Sequence, residues 1–259
     1  MAKKTAKNDR RAVIDDIRRR QKGSERTRGL AIVAVCAVVA IVIVAAAAWG
    51  PIRDQIQTAS SNSKALQDIG QSSSAAGCGG DIELPADGNQ QHVPESQTVT
   101  YTTEPPAFGP HWNVAGVAPV TMARKFYTPD DRPPLEALVH NLEHGYTLLW
   151  YDATVANNAS ELNEIRAIAN KFAGTDDWRD KFIAVPWTAA DAATEKKPLQ
   201  TFPSGTHIAF THWSAGGNGN TDTSKQVGAF QYCSGVSGAA LKQFMIDYPY
   251  TDSPEPIAM

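Results

Sequence analysis

Leu30 to Trp49 reads LAIVAVCAVVAIVIVAAAAW, twenty residues without a charge. At about 1.5 Å per residue such a helix matches the roughly 30 Å hydrocarbon core of a bilayer. Its flanks set a direction. Residues 1–29 carry eleven Lys or Arg against four Asp or Glu, a net of +7. The positive-inside rule places that end in the cytoplasm. Trp49 stands where an interfacial aromatic belongs, and Gly50-Pro51 ends the run. A cleaved signal peptide is the competing reading, because Ala45–Ala48 offers small residues. The apolar run exceeds the about 7–15 residues usual for such signals, which favours a retained signal-anchor in the cell membrane.

Subtracting +7 from the chain's −3 leaves −10 beyond residue 29. An acidic outer part argues against nucleic acid as a partner. The cysteines divide by compartment. Cys36 falls within the apolar run and reads as a small packing residue. Cys78 and Cys233 are the two external ones, and an oxidising compartment with an even count predicts a disulfide between them.

The expected architecture is a single N-terminal transmembrane helix followed by an extracytoplasmic α/β domain, a small sheet with flanking helices. Its divisions are a basic cytoplasmic head (1–29), the transmembrane helix (30–49), a polar stalk (50–77), the folded domain (78–248) and an extended tail (249–259). Residues 78–134 are rich in Pro, Gly and Thr and predict irregular structure with short strands such as Thr98–Tyr101. Tyr146–Tyr151, Lys181–Pro186 and Thr206–Trp213 read as strands. A helix capped by Asn158 or Ser160 and a final helix over Gly238–Tyr248 complete the pattern. A thioredoxin-like arrangement is compatible with that order. There is no Cys-x-x-Cys, so redox exchange is not supported.

His140-Asn141-Leu142-Glu143-His144-Gly145 carries the chemistry. Pro133 and Pro134 suit a helix start, Leu135, Leu138, Val139 and Leu142 form an apolar stripe, and Gly145 suits the C-terminal cap. Histidines four apart on a helix share a face and can share a metal ion, copper or zinc. His111, in Gly109-Pro110-His111-Trp112, and His92 are further candidate ligands, with Trp112 placed to shield one side. The plain alternative is that histidines at a helix C-terminus simply answer the helix dipole. His140-x-x-Glu143-His144 also matches the H-x-x-E-H pattern of inverted zinc peptidases. Against that stand the early helix end and the lack of a third acidic ligand; Glu161, Glu164 and Glu195 are unsupported candidates. His207 and His212, five apart, point to opposite faces of a strand and form no natural pair.

Pro105-Pro106-Ala107-Phe108-Gly109-Pro110-His111, then Val139 to Gly145, resembles a bacterial domain-of-unknown-function family common in actinobacteria and often membrane-anchored. Cys78-Gly79-Gly80 with His92-Val93 looks like its usual opening. Ala107-Phe108 stands in place of the usual Thr-Ser and Tyr146 in place of a second Gly, both beside the histidines. The resemblance implies no enzymatic activity. In layout it implies an accessory subunit of the cytochrome bcc–aa3 respiratory supercomplex, with the anchor packed beside the complex through Ala31, Ala34, Ala37 and Val38. The leading expectation is therefore a non-enzymatic, membrane-anchored accessory subunit supporting assembly or stability of that supercomplex. The alternatives are an extracytoplasmic copper- or zinc-binding protein and, third, the peptidase.

Overall fold

The computed structural model describes residues 18–19, 30, 32–45, 60–87, 89–192 and 200–258. The chain divides into two units, Met1–Arg53 and Asp54–Met259. In the first, residues 32–45 are helical and their side chains are exposed. Among the described residues no helix is long and apolar enough to cross a membrane. Ala31 and 46–49 of the expected span lie outside the described residues, as does most of the expected head.

The second unit is built on a mixed five-stranded sheet. Its strands are β1 (Ile82–Pro85), β4 (Thr147–Tyr151), β5 (Phe182–Pro186), β6 (Ile208–Ser214) and β7 (Val227–Cys233). Two further short strands, β2 (His92–Val93) and β3 (His111–Trp112), pair separately and in parallel. The main order is β1-β7-β6-β4-β5, antiparallel throughout except for β4 with β5. Helix α1 (Leu135–Glu143) precedes β4, α2 (Ala159–Lys171) joins β4 to β5, and α3 (Gly238–Asp247) follows β7. The order β7-β6-β4-β5, with α2 in the crossover and α3 last, has the connectivity of a thioredoxin-like arrangement. The segment after β4, where Asp152 caps a short helix over Ala153–Ala156, holds no cysteine.

All five residues of β4 are buried, because the sheet is covered on both faces. Leu148 and Trp150 join a core with Leu138, Val139 and Leu142 of α1. Their alternates Leu149 and Tyr151 join a second core with Ile165 and Ile168 of α2 and Leu241 and Phe244 of α3. The helix ends follow from capping residues. The Asn158 side chain accepts from Ser160 N and Glu161 N at the start of α2. At the end of α1, Gly145 N bonds Leu142 O and Tyr146 N bonds Asn141 O, a Schellman closure with Gly145 at φ 87°.

The structure departs from the expected divisions at three places. Thr98–Tyr101 is not a strand; Val99 N donates 2.8 Å to the Glu136 carboxylate of α1, so its backbone is satisfied by a side chain. The expected stalk ends early, since Ile69 and Ala76 are buried and Gly70 pairs with Ser237. The tail is not extended but runs as successive turns against α1. Lys181 Nζ donates to the carbonyls of His144 (2.7 Å), Pro256 (2.8 Å) and Ala258 (2.8 Å). Glu255 N donates 2.9 Å to Glu143 O. Cys78 and Cys233 form the expected disulfide, tying the segment before β1 to the end of β7. Cys36 is free and exposed.

Gly145 is where helix end and tail meet. A Cβ there would fall 2.3 Å from Tyr250 O and 2.8 Å from Ser253 Oγ, on a backbone already at positive φ. Gly145→Ala is expected to lower stability by about 2–4 kcal/mol and to expose the last residues to protease. A urea midpoint equal to wild type, with equal protease resistance, would show that the tail does not depend on this contact.

Candidate metal centre

Eight of the nine residues of α1 are buried, including Glu136, His140, Asn141 and Glu143. A helix without a solvent face must find partners for each polar side chain. Asn141 satisfies both edges of Val120, accepting from its N and donating to its O, each at 2.8 Å. His140 Nδ1 meets Trp112 O at 2.6 Å. A carbonyl only accepts, so Nδ1 carries the proton and Nε2 is left with a lone pair.

The loop histidines arrive by strand pairing. In the β2–β3 register His92 lies opposite His111 and Val93 opposite Trp112. His111 Nδ1 meets Gly109 O at 2.9 Å, which again leaves Nε2 free. The rings of His111 and His140 are 4.7 Å apart between centroids, and that of His92 lies 5.0 and 5.2 Å from them. His111 Nε2 is 2.8 Å and His92 Nε2 3.8 Å from Glu143 Oε2. One donor atom from each of His92, His111, His140 and Glu143 lies within 4.8 Å of the others. His111 Nε2 and Glu143 Oε2 are buried and, despite their closeness, not aligned as a hydrogen bond. Two buried polar atoms this close, without an aligned hydrogen bond between them, fit a bound cation.

A relay of amides fixes the carboxylate. The indole N–H of Trp213, which can only donate, bonds Gln226 Oε1 at 3.1 Å. Gln226 Nε2 then donates to Gln90 Oε1 at 3.1 Å, and Gln90 Nε2 to Glu143 Oε1 at 3.0 Å. Burial would raise the Glu143 carboxyl; the closeness of His111, the Gln90 amide and His140 outweighs it and holds the group below its usual range. Burial, reinforced by the neighbouring His111 and His144, pushes His140 down to about 4. The carboxylate is thus ionised and the imidazole neutral near pH 7, the states a metal ligand needs.

His144 departs from the helix-pair expectation. It caps α1 instead of lying within it, and falls outside the four-donor group. It stands with Glu143 and Glu255, its Nε2 3.5 Å from Glu255 Oε2. Burial pushes it, too, down to about 4. Shielding comes from Trp213, whose ring stands edge-on to His111 at 6.1 Å, while Trp112 contributes its carbonyl and sends its own N–H to Gln97 O. His207 pairs with Asp152, and His212 is buried between the carbonyls of Tyr146 and Asp252, both away from the centre. Glu161 and Glu164 sit on α2, whose apolar side chains join the core on the other face of the sheet; Glu195 lies outside the described residues. Gln90, Gln226 and Glu255 carry no local sequence signal, because only the folded chain brings them to α1.

A three-histidine, one-carboxylate cluster at the end of a buried helix defines the domain. The family described as Protein of unknown function (DUF3105) matches residues 92–258, and the chain belongs to it. That span holds all four donors and Glu255 but begins after Cys78. No curated protein and no solved structure matches the chain.

Asn141 holds the Val120 loop against α1 through both bonds to Val120. Asn141→Leu keeps the volume and leaves two buried backbone groups unpaired, at an expected cost of about 2–4 kcal/mol in chemical denaturation. A loss under about 0.5 kcal/mol would assign the loop's position to apolar packing instead.

Proposed function

We propose that the outer domain binds one divalent transition ion, zinc or copper(II), through His92, His111, His140 and Glu143. The observation that supports this most is the orphaned pair His111 Nε2 and Glu143 Oε2, both buried, beside two imidazoles whose Nδ1 atoms are committed to carbonyls. Imidazole and carboxylate suit zinc and copper(II). Thiolate is missing from the set, since Cys78 and Cys233 are spent in a disulfide, which disfavours copper(I). His92, whose side chain is 44% exposed, is the ligand through which an ion enters and leaves. When bound, the ion would neutralise the buried carboxylate and lock the β2–β3 pair onto α1.

The accessory-subunit reading stands second. It draws on the helical residues 32–45, whose apolar side chains are exposed and would suit neighbouring membrane helices. The two readings are compatible, and one preparation tests both. The full-length chain, purified in mild detergent, is expected to carry about one zinc or copper per chain by elemental analysis. His111→Asn and His140→Asn should each remove the metal while keeping a cooperative unfolding transition. Wild-type protein that stays metal-free after zinc and copper are supplied would overturn the reading. For the second, c-, b- and a-type haem signals are expected in the same eluate; a haem-free eluate from native membranes would rule against a stable place in the supercomplex.

A further inference from the structure

We infer that the C-terminal turn supplies Glu255 to a second divalent ion, held with His144 and sharing Glu143 with the first. The inference rests on the four-donor reading for Glu143, which is common to both donor groups.

A ring nitrogen of His144 and one carboxylate oxygen each from Glu143 and Glu255 lie within 4.8 Å of one another. His144 is 5% exposed, and its Nδ1 has no hydrogen-bond partner. Its Nε2 has a carboxylate oxygen 3.5 Å away, beyond good hydrogen-bond length. It differs in this from His111 and His140, each of which has one nitrogen committed to a carbonyl. A buried imidazole without a committed bond, next to two carboxylates, is placed to take a cation.

The chain spends several contacts on placing Glu255. Its own N–H bonds Glu143 O at 2.9 Å. Pro254 and Pro256 flank it and stiffen the backbone on both sides. Lys181 Nζ bonds the carbonyls of Pro256 and Ala258 on one side and His144 on the other. That ammonium is therefore committed to carbonyls, and neither carboxylate of the group has it as a counter-ion. Glu143 has two oxygens, so one carboxylate can serve two ions, as in two-metal sites. One imidazole, two carboxylates and water at the half-exposed Glu255 side make a harder donor set than the first, suited to zinc or manganese(II). Filling it would fasten the tail to the end of α1, so the last residues would be ordered by metal as well as by Lys181.

Zinc stoichiometry of the full-length chain tests this. The protein is held in mild detergent, stripped with a chelator, desalted and titrated with zinc chloride against a weak competing chelator. Wild type is expected to retain about two zinc ions per chain, and Glu255→Gln and His144→Asn about one each. Glu255 is half exposed, so its variant folds even if the His144 variant does not. Protease trimming of the tail should slow on adding zinc in wild type and not in Glu255→Gln. One zinc in both wild type and Glu255→Gln would overturn the second ion and leave the first. Two in both would place the second ion elsewhere and also overturn it. None in wild type would sink the four-donor reading itself.

Discussion

The burial of α1 on every side is the constraint from which the rest of the folded domain follows. Most helices of a small α/β domain solvate one face; this one has none to spare. Each of its polar groups therefore recruits a piece of irregular chain. Glu136 takes the backbone of Val99, His140 that of Trp112, and Asn141 both sides of Val120. The backbone oxygens of Glu143 and His144 take Glu255 N and Lys181 Nζ. The long Pro- and Gly-rich stretch before the helix and the tail after α3 are thus not loose decoration. They are the solvation shell of a buried helix, supplied by the chain instead of by water.

Seen this way, the histidine cluster is a by-product of two separate requirements that meet. Strand pairing sets His92 beside His111, and helix periodicity turns His140 and Glu143 to the same side. Second contacts then choose which nitrogen is left over. Gly109 O and Trp112 O hold the Nδ1 atoms, while the Trp213–Gln226–Gln90 relay holds the carboxylate. Such outer partners fix tautomer and ring direction and are characteristic of built ligand sets. A histidine that merely answered a helix dipole would need none of them.

How much of this was legible in the sequence depended on range. The start of α1 at Pro134, its end at Gly145 and the apolar β4 are local signals, and they read correctly because caps and buried runs are written in adjacent residues. The disulfide followed from compartment and count. What did not read was decided across the chain. β7 mixes Gly228 and Gln231 with apolar residues, because Gly228 leaves room for Phe108, whose ring would lie 2.5 Å from a Cβ there. Thr98–Tyr101 has strand-like composition but a side-chain partner. His92 and His111 were each visible, and their pairing was not. Glu143 stood in the sequence only as the middle of the H-x-x-E-H pattern; its place beside His92 and His111 is set by the fold. The tail looked extended because Pro254 and Pro256 are visible locally, whereas Lys181, which pins it, is 75 residues away from Pro256.

The placement of both donor groups at one end of α1 has an electrostatic reason. The C-terminus of a helix carries partial negative charge, equivalent to about half an elementary charge, and favours cations. Here that charge is added to an ionised Glu143 held below its usual range and to buried imidazoles in the neutral state. Lys181, whose ammonium bonds His144 O, is itself pushed down to about 8 by burial and is occupied by three carbonyls. The chain thus gathers an ionised carboxylate, a neutral imidazole and the Lys181 ammonium at one end of α1. With one donor atom each from His92, His111, His140 and Glu143 within 4.8 Å of one another at that end, the arrangement is one that could hold a metal ion.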